Sequence, residues 1–233
     1  MKKTLIAMLL LTALLCAACG SAAPAPTAEP VPTELPAPIP TDDPEMEPPL
    51  EVPSYIANQV TVLALQEGML ETTRNPEEPE NREYIVNYTI VDDTLFFDQA
   101  GNRLALEDVK EGSLLDVYTG AYTPAPMIMP PQYQANIIIV LDPDAEEAGF
   151  TCADTFIMVE DMLTGAGNTL ALNLTENVEI VGREGEPTQE DLENKDLLVF
   201  YGASTRSIPA QTTPTKIVVL GTNELALGSI NAQ

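Results

Sequence analysis

Glu107-Asp108-Val109-Lys110-Glu111-Gly112-Ser113-Leu114-Leu115-Asp116-Val117-Tyr118 returns 83 residues later as Glu190-Asp191-Leu192-Glu193-Asn194-Lys195-Asp196-Leu197-Leu198-Val199-Phe200-Tyr201. An acidic turn leading into a branched and aromatic run thus occurs twice, and self-similarity at a fixed spacing marks repeated copies of one supersecondary unit. Further on, Pro130-Pro131-Gln132 and the run 137–141 match Pro209-Ala210-Gln211 and the run 216–220, now 79 residues apart. The four-residue difference falls in a segment that reads as a loop, where length changes are tolerated.

Strands are predicted in the first copy over 60–65, 84–91 and 95–97, then a helical turn over 106–111, then strands over 114–118 and 137–141. The second copy shows a helical turn over 188–194 and strands over 197–201 and 216–220. Enrichment in β-branched and aromatic residues supports the strands. Thr188 followed three residues later by Asp191 is close to a capping box, and Gly112 closes the first turn. The run Ile137-Ile138-Ile139-Val140-Leu141 does not alternate, which predicts a strand covered on both faces, as where one unit leans on the other. Val117 and Val199, and likewise Val140 and Val219, are expected at equivalent buried or partly buried positions.

Three strands, a turn and two strands in about 80 residues is the order of a small OB-like five-stranded barrel. The expected fold is therefore mainly β, a tandem pair of such barrels with one short helical turn each. A domain this small buries only about 60% of its unfolded surface, so the two copies are expected to pack into one rigid body. The copies span residues 55–142 and 151–222, joined by an acidic linker over 143–150 and followed by a tail over 223–233.

The chain opens with Lys2 and Lys3, an uncharged apolar stretch and the small residues Cys16-Ala17-Ala18-Cys19-Gly20-Ser21. A positive end, a short apolar core and small residues form an export signal, and the stretch is too short for a membrane span. Cys16-Ala17-Ala18-Cys19 resembles the lipobox of bacterial lipoproteins, departing from it at Cys16, where Leu is usual. The resemblance implies removal of residues 1–18, lipidation of Cys19, an extracytoplasmic location at the cell surface and a membrane partner through the lipid. Residues 19–54 then carry the anchor and a disordered stalk rich in proline, alanine and glutamate. Between Gly20 and Pro53 lie 11 of the 21 prolines, seven acidic residues and no Lys or Arg. Such a segment favours polyproline II and reaches on the order of 100 Å.

The stretch from Tyr201 through Thr205-Arg206-Ser207-Ile208-Pro209-Ala210-Gln211-Thr212 to Ile217-Val218-Val219-Leu220 resembles small β-modules of exported Firmicutes proteins. Some of these accompany a stalk domain similar to the copper amine oxidase N-terminal region. The first copy, with Pro124, Pro126, Met127, Ile128, Met129, Pro130, Pro131 and Gln132, is similar to a variant of the same loop. The likeness covers about 45 residues per copy and implies no catalytic residue.

Composition narrows the function. Without Lys2 and Lys3, eight basic residues face 36 acidic ones, a formal charge of 8 − 36 = −28. A surface of that sign repels phosphate backbones and anionic headgroups, so no nucleic-acid partner is expected. The chain has no histidine, which removes Ser-His-Asp and Cys-His nucleophile systems and the common His-containing metal sites. No catalytic residue and no cofactor are assigned. Cys152, the one cysteine left once Cys16 is removed and Cys19 acylated, reads as a small inert side chain. Asp142, Asp144 and Glu146 form a weak cation candidate on the linker, lacking the glycine and distal Glu of a 12-residue calcium loop. Two proline-rich loops, over 119–134 and 202–215, are the stronger candidates. Tyr122, Met127, Ile128, Met129 and Tyr133 in the first, and Arg206 in the second, are the candidate contacts for a cell-envelope protein or peptide. The competing reading is that each loop folds back and plugs its own barrel. The function expected is a tethered, non-catalytic interaction or scaffold lipoprotein; the alternative is a hydrolase of the cell envelope using carboxylates alone.

Overall fold

The computed structural model describes residues 52–145, 149–182 and 185–222. The leader, Cys19, the stalk up to residue 51, Glu146 and the tail 223–233 lie outside them. The described chain is mainly β and forms two sheets. The first contains β1 (Tyr55–Gln66), β2 (Met69–Thr73), β3 (Ile85–Thr89), β4 (Leu95–Asp98), β5 (Leu114–Gly120), β6 (Gln132–Gln134) and β7 (Ile137–Leu141), in the order β4-β7-β5-β1-β2-β3-β6. The second contains β8 (Phe150–Val159), β9 (Met162–Gly165), β10 (Leu170–Leu172), β11 (Glu179–Gly182), β12 (Lys195–Ser204) and β13 (Ala210–Gly221), in the order β10-β9-β8-β12-β13-β11. β10 also pairs in parallel with β13, which turns that sheet back on itself.

The strands number seven and six, not five per copy. β2 follows β1 across two residues, Glu67 (φ 41°) and Gly68 (φ 79°), a tight hairpin with positive φ at both positions. Glu160 (φ 48°) and Asp161 (φ 67°) do the same between β8 and β9 without a glycine, so no turn signal marked that hairpin. β6 and β7 are two pieces interrupted at Ala135 and Asn136, whereas β13 runs unbroken. The expected helical turns are shorter, single 3₁₀ turns at Leu106–Asp108 and Gln189–Asp191. Asp108 and Asp191 hold them by accepting the Ala105 and Thr188 backbone N–H at 2.9 and 2.8 Å.

The repeat is visible in the ladders, with a one-residue correction to the sequence match. Leu115 pairs with Val140 and Val117 with Ile138; Leu197 pairs with Val219 and Val199 with Ile217. Leu115 therefore corresponds to Leu197, not to Leu198. The second copy reaches its strand one residue sooner after the 3₁₀ turn, and the β12–β13 ladder is bulged where that strand begins, between Asp196 and Leu197; a slip of one residue turns every side chain to the other face. Tyr118 and Tyr201, aligned in sequence, consequently face different cores. Val117 and Val199 are both fully buried, each in the core of its own sheet, and Val140 and Val219 are both partly buried.

Three apolar cores result. Val60, Leu70, Val86, Leu115, Val117 and Ile138 fill the first sheet; Phe156, Leu163, Leu172, Leu197, Val199 and Ile217 fill the second. A third core lies between the sheets, built from Leu95, Phe97, Tyr118, Ile137 and Ile139 on one side and Ala153, Leu198, Phe200 and Val218 on the other. This explains the non-alternating run: Ile138 points into the first core while Ile137 and Ile139 enter the shared one. Each such aliphatic side chain contributes roughly 1.5–3 kcal/mol on burial. Phe97 and Phe200 meet edge to face at 5.8 Å, and the Tyr118 hydroxyl lies 2.8 Å from Thr151 Oγ1.

Candidate functional site

Both proline-rich loops leave the strand corresponding to β5 or β12 and end in a cis X-Pro bond, Met129-Pro130 in one and Ile208-Pro209 in the other. The two bonds sit 79 residues apart, on the same spacing as the strands that follow. Residues 122–129 are all exposed. Met127 projects completely into solvent, Ile128 and Met129 are at least half exposed, and Ile208 is 87% exposed. The first loop therefore does not plug its own sheet. Its shape is held by short-range bonds, from Thr123 N–H to Gly120 C=O at 3.1 Å and from Ile128 N–H to Pro126 C=O at 3.0 Å. Arg82 Nη2 reaches Met129 C=O at 3.4 Å.

The sequence-derived contacts divide. Tyr122, Met127, Ile128 and Met129 lie on the exposed loop. Tyr133 is half-buried against the first core, its ring 6.3 Å from that of Tyr88, so most of its surface is taken up internally. Arg206 is exposed on the second loop, where Thr205, Ser207 and Pro209 are tied by hydroxyl bonds of 2.7 Å. The two loops are not alike: one offers three consecutive exposed apolar residues, the other a compact turn with one, Ile208.

On the linker, Asp142 and Asp144 are exposed, and Asp142 Oδ1 accepts the Asp144 backbone N–H at 3.0 Å. Among the described residues no group of three or more Cys, Asp or Glu side chains is placed to hold a metal ion. Glu146 lies outside them.

A cluster that sequence reasoning missed sits where the chain enters β1. Asp154 on β8 is 1% exposed, and its carboxylate accepts backbone N–H groups from Ser54 at 2.7 Å, Thr155 at 2.9 Å and Gly167 at 2.8 Å. Asp196 on β12, 5% exposed, accepts the Tyr55 hydroxyl at 2.8 Å and the Thr155 hydroxyl at 2.6 Å. Burial, reinforced by Asp196, holds the Tyr55 hydroxyl protonated far above the usual tyrosine range. Burial also raises the Asp154 pKa, against the amide bonds that draw it down. A side chain at Gly167 would strike Pro53 at 2.8 Å, so the turn after β9 closes directly on the end of the stalk. Cys152, two residues before Asp154, has its thiol pushed up to about 12 by burial, and is unreactive at neutral pH.

Only the Asp196 end of this cluster meets solvent, in a cleft of about 520 Å³ that Tyr55, Tyr122, Thr123, Asn136 and Gly221 also line. A counterpart of about 640 Å³ opens beside Gln99, Leu141, Asp142, Tyr201 and Thr215. Asn136 and Thr215 occupy corresponding places in the two clefts, as the 79-residue spacing requires.

No family model, curated protein or solved structure matches the chain. Among the described residues no helix is long and apolar enough to cross a membrane.

Proposed function

We propose that this chain is a surface-tethered lipoprotein, anchored through Cys19, whose two lobes are OB-like barrels that present proline-rich loops to a cell-envelope protein or peptide. Support for the barrel reading comes from the pairing order: β8-β9-β10-β13-β12-β8 is a ring in which the third and last strands run parallel, and β6 with β7 play the part of β13 in the first lobe. The observation that carries the functional reading is the exposure of Met127, Ile128 and Met129, complete for Met127 and at least half for the other two, on a segment stiffened by four prolines. Proline rigidity lowers the ordering cost of association, and methionine adapts to varied surfaces.

The alternative hydrolase would draw on Asp154 and Asp196, the two buried carboxylates. Their oxygens already accept bonds from the chain, and Asp196 lines a cleft while Asp154 is 1% exposed, so the cluster reads as a structural clamp.

The test is the full chain with Tyr122, Met127 and Met129 changed to Ser, compared with wild type for thermal unfolding and for capture of envelope proteins. The expected result is unchanged melting with loss of the captured species. Collapse of the melting temperature, or unchanged capture, overturns the reading. Cys19→Ala is expected to move the protein from the membrane fraction to the soluble one, because the acyl chains supply the anchor; retention contradicts the tether.

A further inference from the structure

We infer that the two long connections of the first lobe, residues 74–84 and 121–131, form one docking site, and that its occupant is a peptide segment setting lysine or arginine beside an apolar anchor. The site rests on the loop reading above and adds to it a second loop and the sign of the partner's charge. The pairing order matches the lobes strand for strand: β3 runs parallel to β6 in the first as β10 runs parallel to β13 in the second. Between β2 and β3 the first lobe has eleven residues, where the second has four between β9 and β10. Between β5 and β6 it has eleven again, where the second has five between β12 and β13.

Topology brings the two additions together. One leads into β3 and the other into β6, and because these strands run parallel with Asn87 opposite Gln132, both loops stand at the same end of the sheet. They are also fastened to each other. Asn87 N–H donates to Pro131 C=O at 2.9 Å, and Arg82 Nη2 to Met129 C=O at 3.4 Å. Residues 74–84 wind in successive turns, with N–H donated from Glu78 to Asn75 C=O at 3.2 Å, from Asn81 to Glu78 C=O at 3.1 Å and from Tyr84 to Asn81 C=O at 3.0 Å. Pro76 and Pro79 stiffen this loop as Pro124, Pro126, Pro130 and Pro131 stiffen the other. Two stiff loops in contact lose little conformational freedom when a partner docks.

The loops offer different chemistry to that partner. Met127, Ile128 and Met129 form an exposed apolar strip on one, and Glu77, Glu78, Glu80 and Glu83 are all exposed on the other. The two cations of the acidic loop are turned to the chain itself, Arg82 to Met129 and Arg74 to Asn58 Oδ1 at 3.3 Å. Charge decides the occupant. A second copy would bring the same glutamates face to face, and the stalk carries seven acidic residues without a basic one. A segment with an apolar side chain between lysines or arginines meets both loops at once. Exposed ion pairs add little affinity, so the apolar strip holds the partner while the carboxylates steer it. Charge then acts mainly on the association rate, and apolar contact on the dissociation rate.

The probe is a blocked seven-residue peptide, leucine-phenylalanine-leucine flanked by two lysines on each side, titrated into the full chain at moderate salt with both rates read. Four comparisons accompany it: the same peptide with glutamate for lysine, the Glu77→Gln/Glu80→Gln/Glu83→Gln variant, a Glu176→Gln/Glu190→Gln/Glu193→Gln variant of the second lobe, and the serine variant of Tyr122, Met127 and Met129. Affinity is expected to fall at least about tenfold for the glutamate peptide and several-fold in the first glutamine variant, through slower association, and to stay within about twofold in the second. The serine variant is expected to lose several-fold through faster dissociation. Equal losses from the two glutamine variants show attraction to net charge alone and overturn the proposal, as does full binding by the first of them or no binding by wild type. Loss in the serine variant with full binding by the Glu77, Glu80 and Glu83 variant overturns the two-loop site and leaves the loop reading standing, so the two failures are told apart.

Discussion

In the first lobe Val60 stands opposite Leu115 on the ladder and disappears into an apolar core; in the second, the same place opposite Leu197 is held by Asp154. One strand order accommodates a valine and a buried carboxylate at a single position because the second lobe brings three backbone N–H donors to it. One donor comes from Thr155 beside it, one from the turn after β9 and one from Ser54, at the start of the first lobe. The difference thus ties the end of the stalk to the second lobe. Duplication set the frame, and single substitutions made the lobes unequal.

The largest effect is expected where that inequality is buried. Asp154→Ala leaves three N–H groups without their acceptor and should lower stability by about 3 kcal/mol, read from urea unfolding. A loss below about 1 kcal/mol would mean that the clamp is incidental. Tyr133→Ala, which opens a gap beside Tyr88, should cost about 2 kcal/mol, whereas the exposed residues of the same loop should each cost less than about 0.5 kcal/mol. Equal losses at Tyr133 and Met127 would erase the division between core and contact surface.

A smaller effect is expected with pH. Burial raises the folded-state pKa of Asp154 above its unfolded value of about 3.9. Its contribution is then fully present below the unfolded pKa and is lost as pH rises through the folded one. Stability of wild type relative to Asp154→Asn should therefore increase as pH falls from neutral into the acid range. The opposite slope would show that the amide bonds outweigh desolvation at this carboxylate.

Much of the framework was legible in the sequence, and the failures have physical causes. Runs such as 137–141 and 216–220 are apolar and β-branched because they are covered on two faces, so they announced themselves as strands. The hairpin at Glu160 and Asp161 carried no glycine, and β9 and β10 are too short for a pattern. The one-residue shortening between the second 3₁₀ turn and β12 left the residue match looking intact while reversing which side faces the core. Met127, Ile128 and Met129 were legible as a loop because prolines surround them. Asp154 was one acid among 36 in the chain, and only the register opposite Leu197 reveals that it stands where a core valine belongs.

The core shared by the two sheets and the bond from Ser54 to Asp154 require that the two lobes behave as one rigid body. Differential scanning calorimetry of the full chain tests this directly, with Phe200→Ala as the partner measurement, since Phe200 packs on Phe97 across the boundary. The expected result is a single transition whose calorimetric and van 't Hoff enthalpies agree, and which Phe200→Ala moves to lower temperature as a whole. Two separable transitions in wild type, or a shift in only part of the melting, would contradict it.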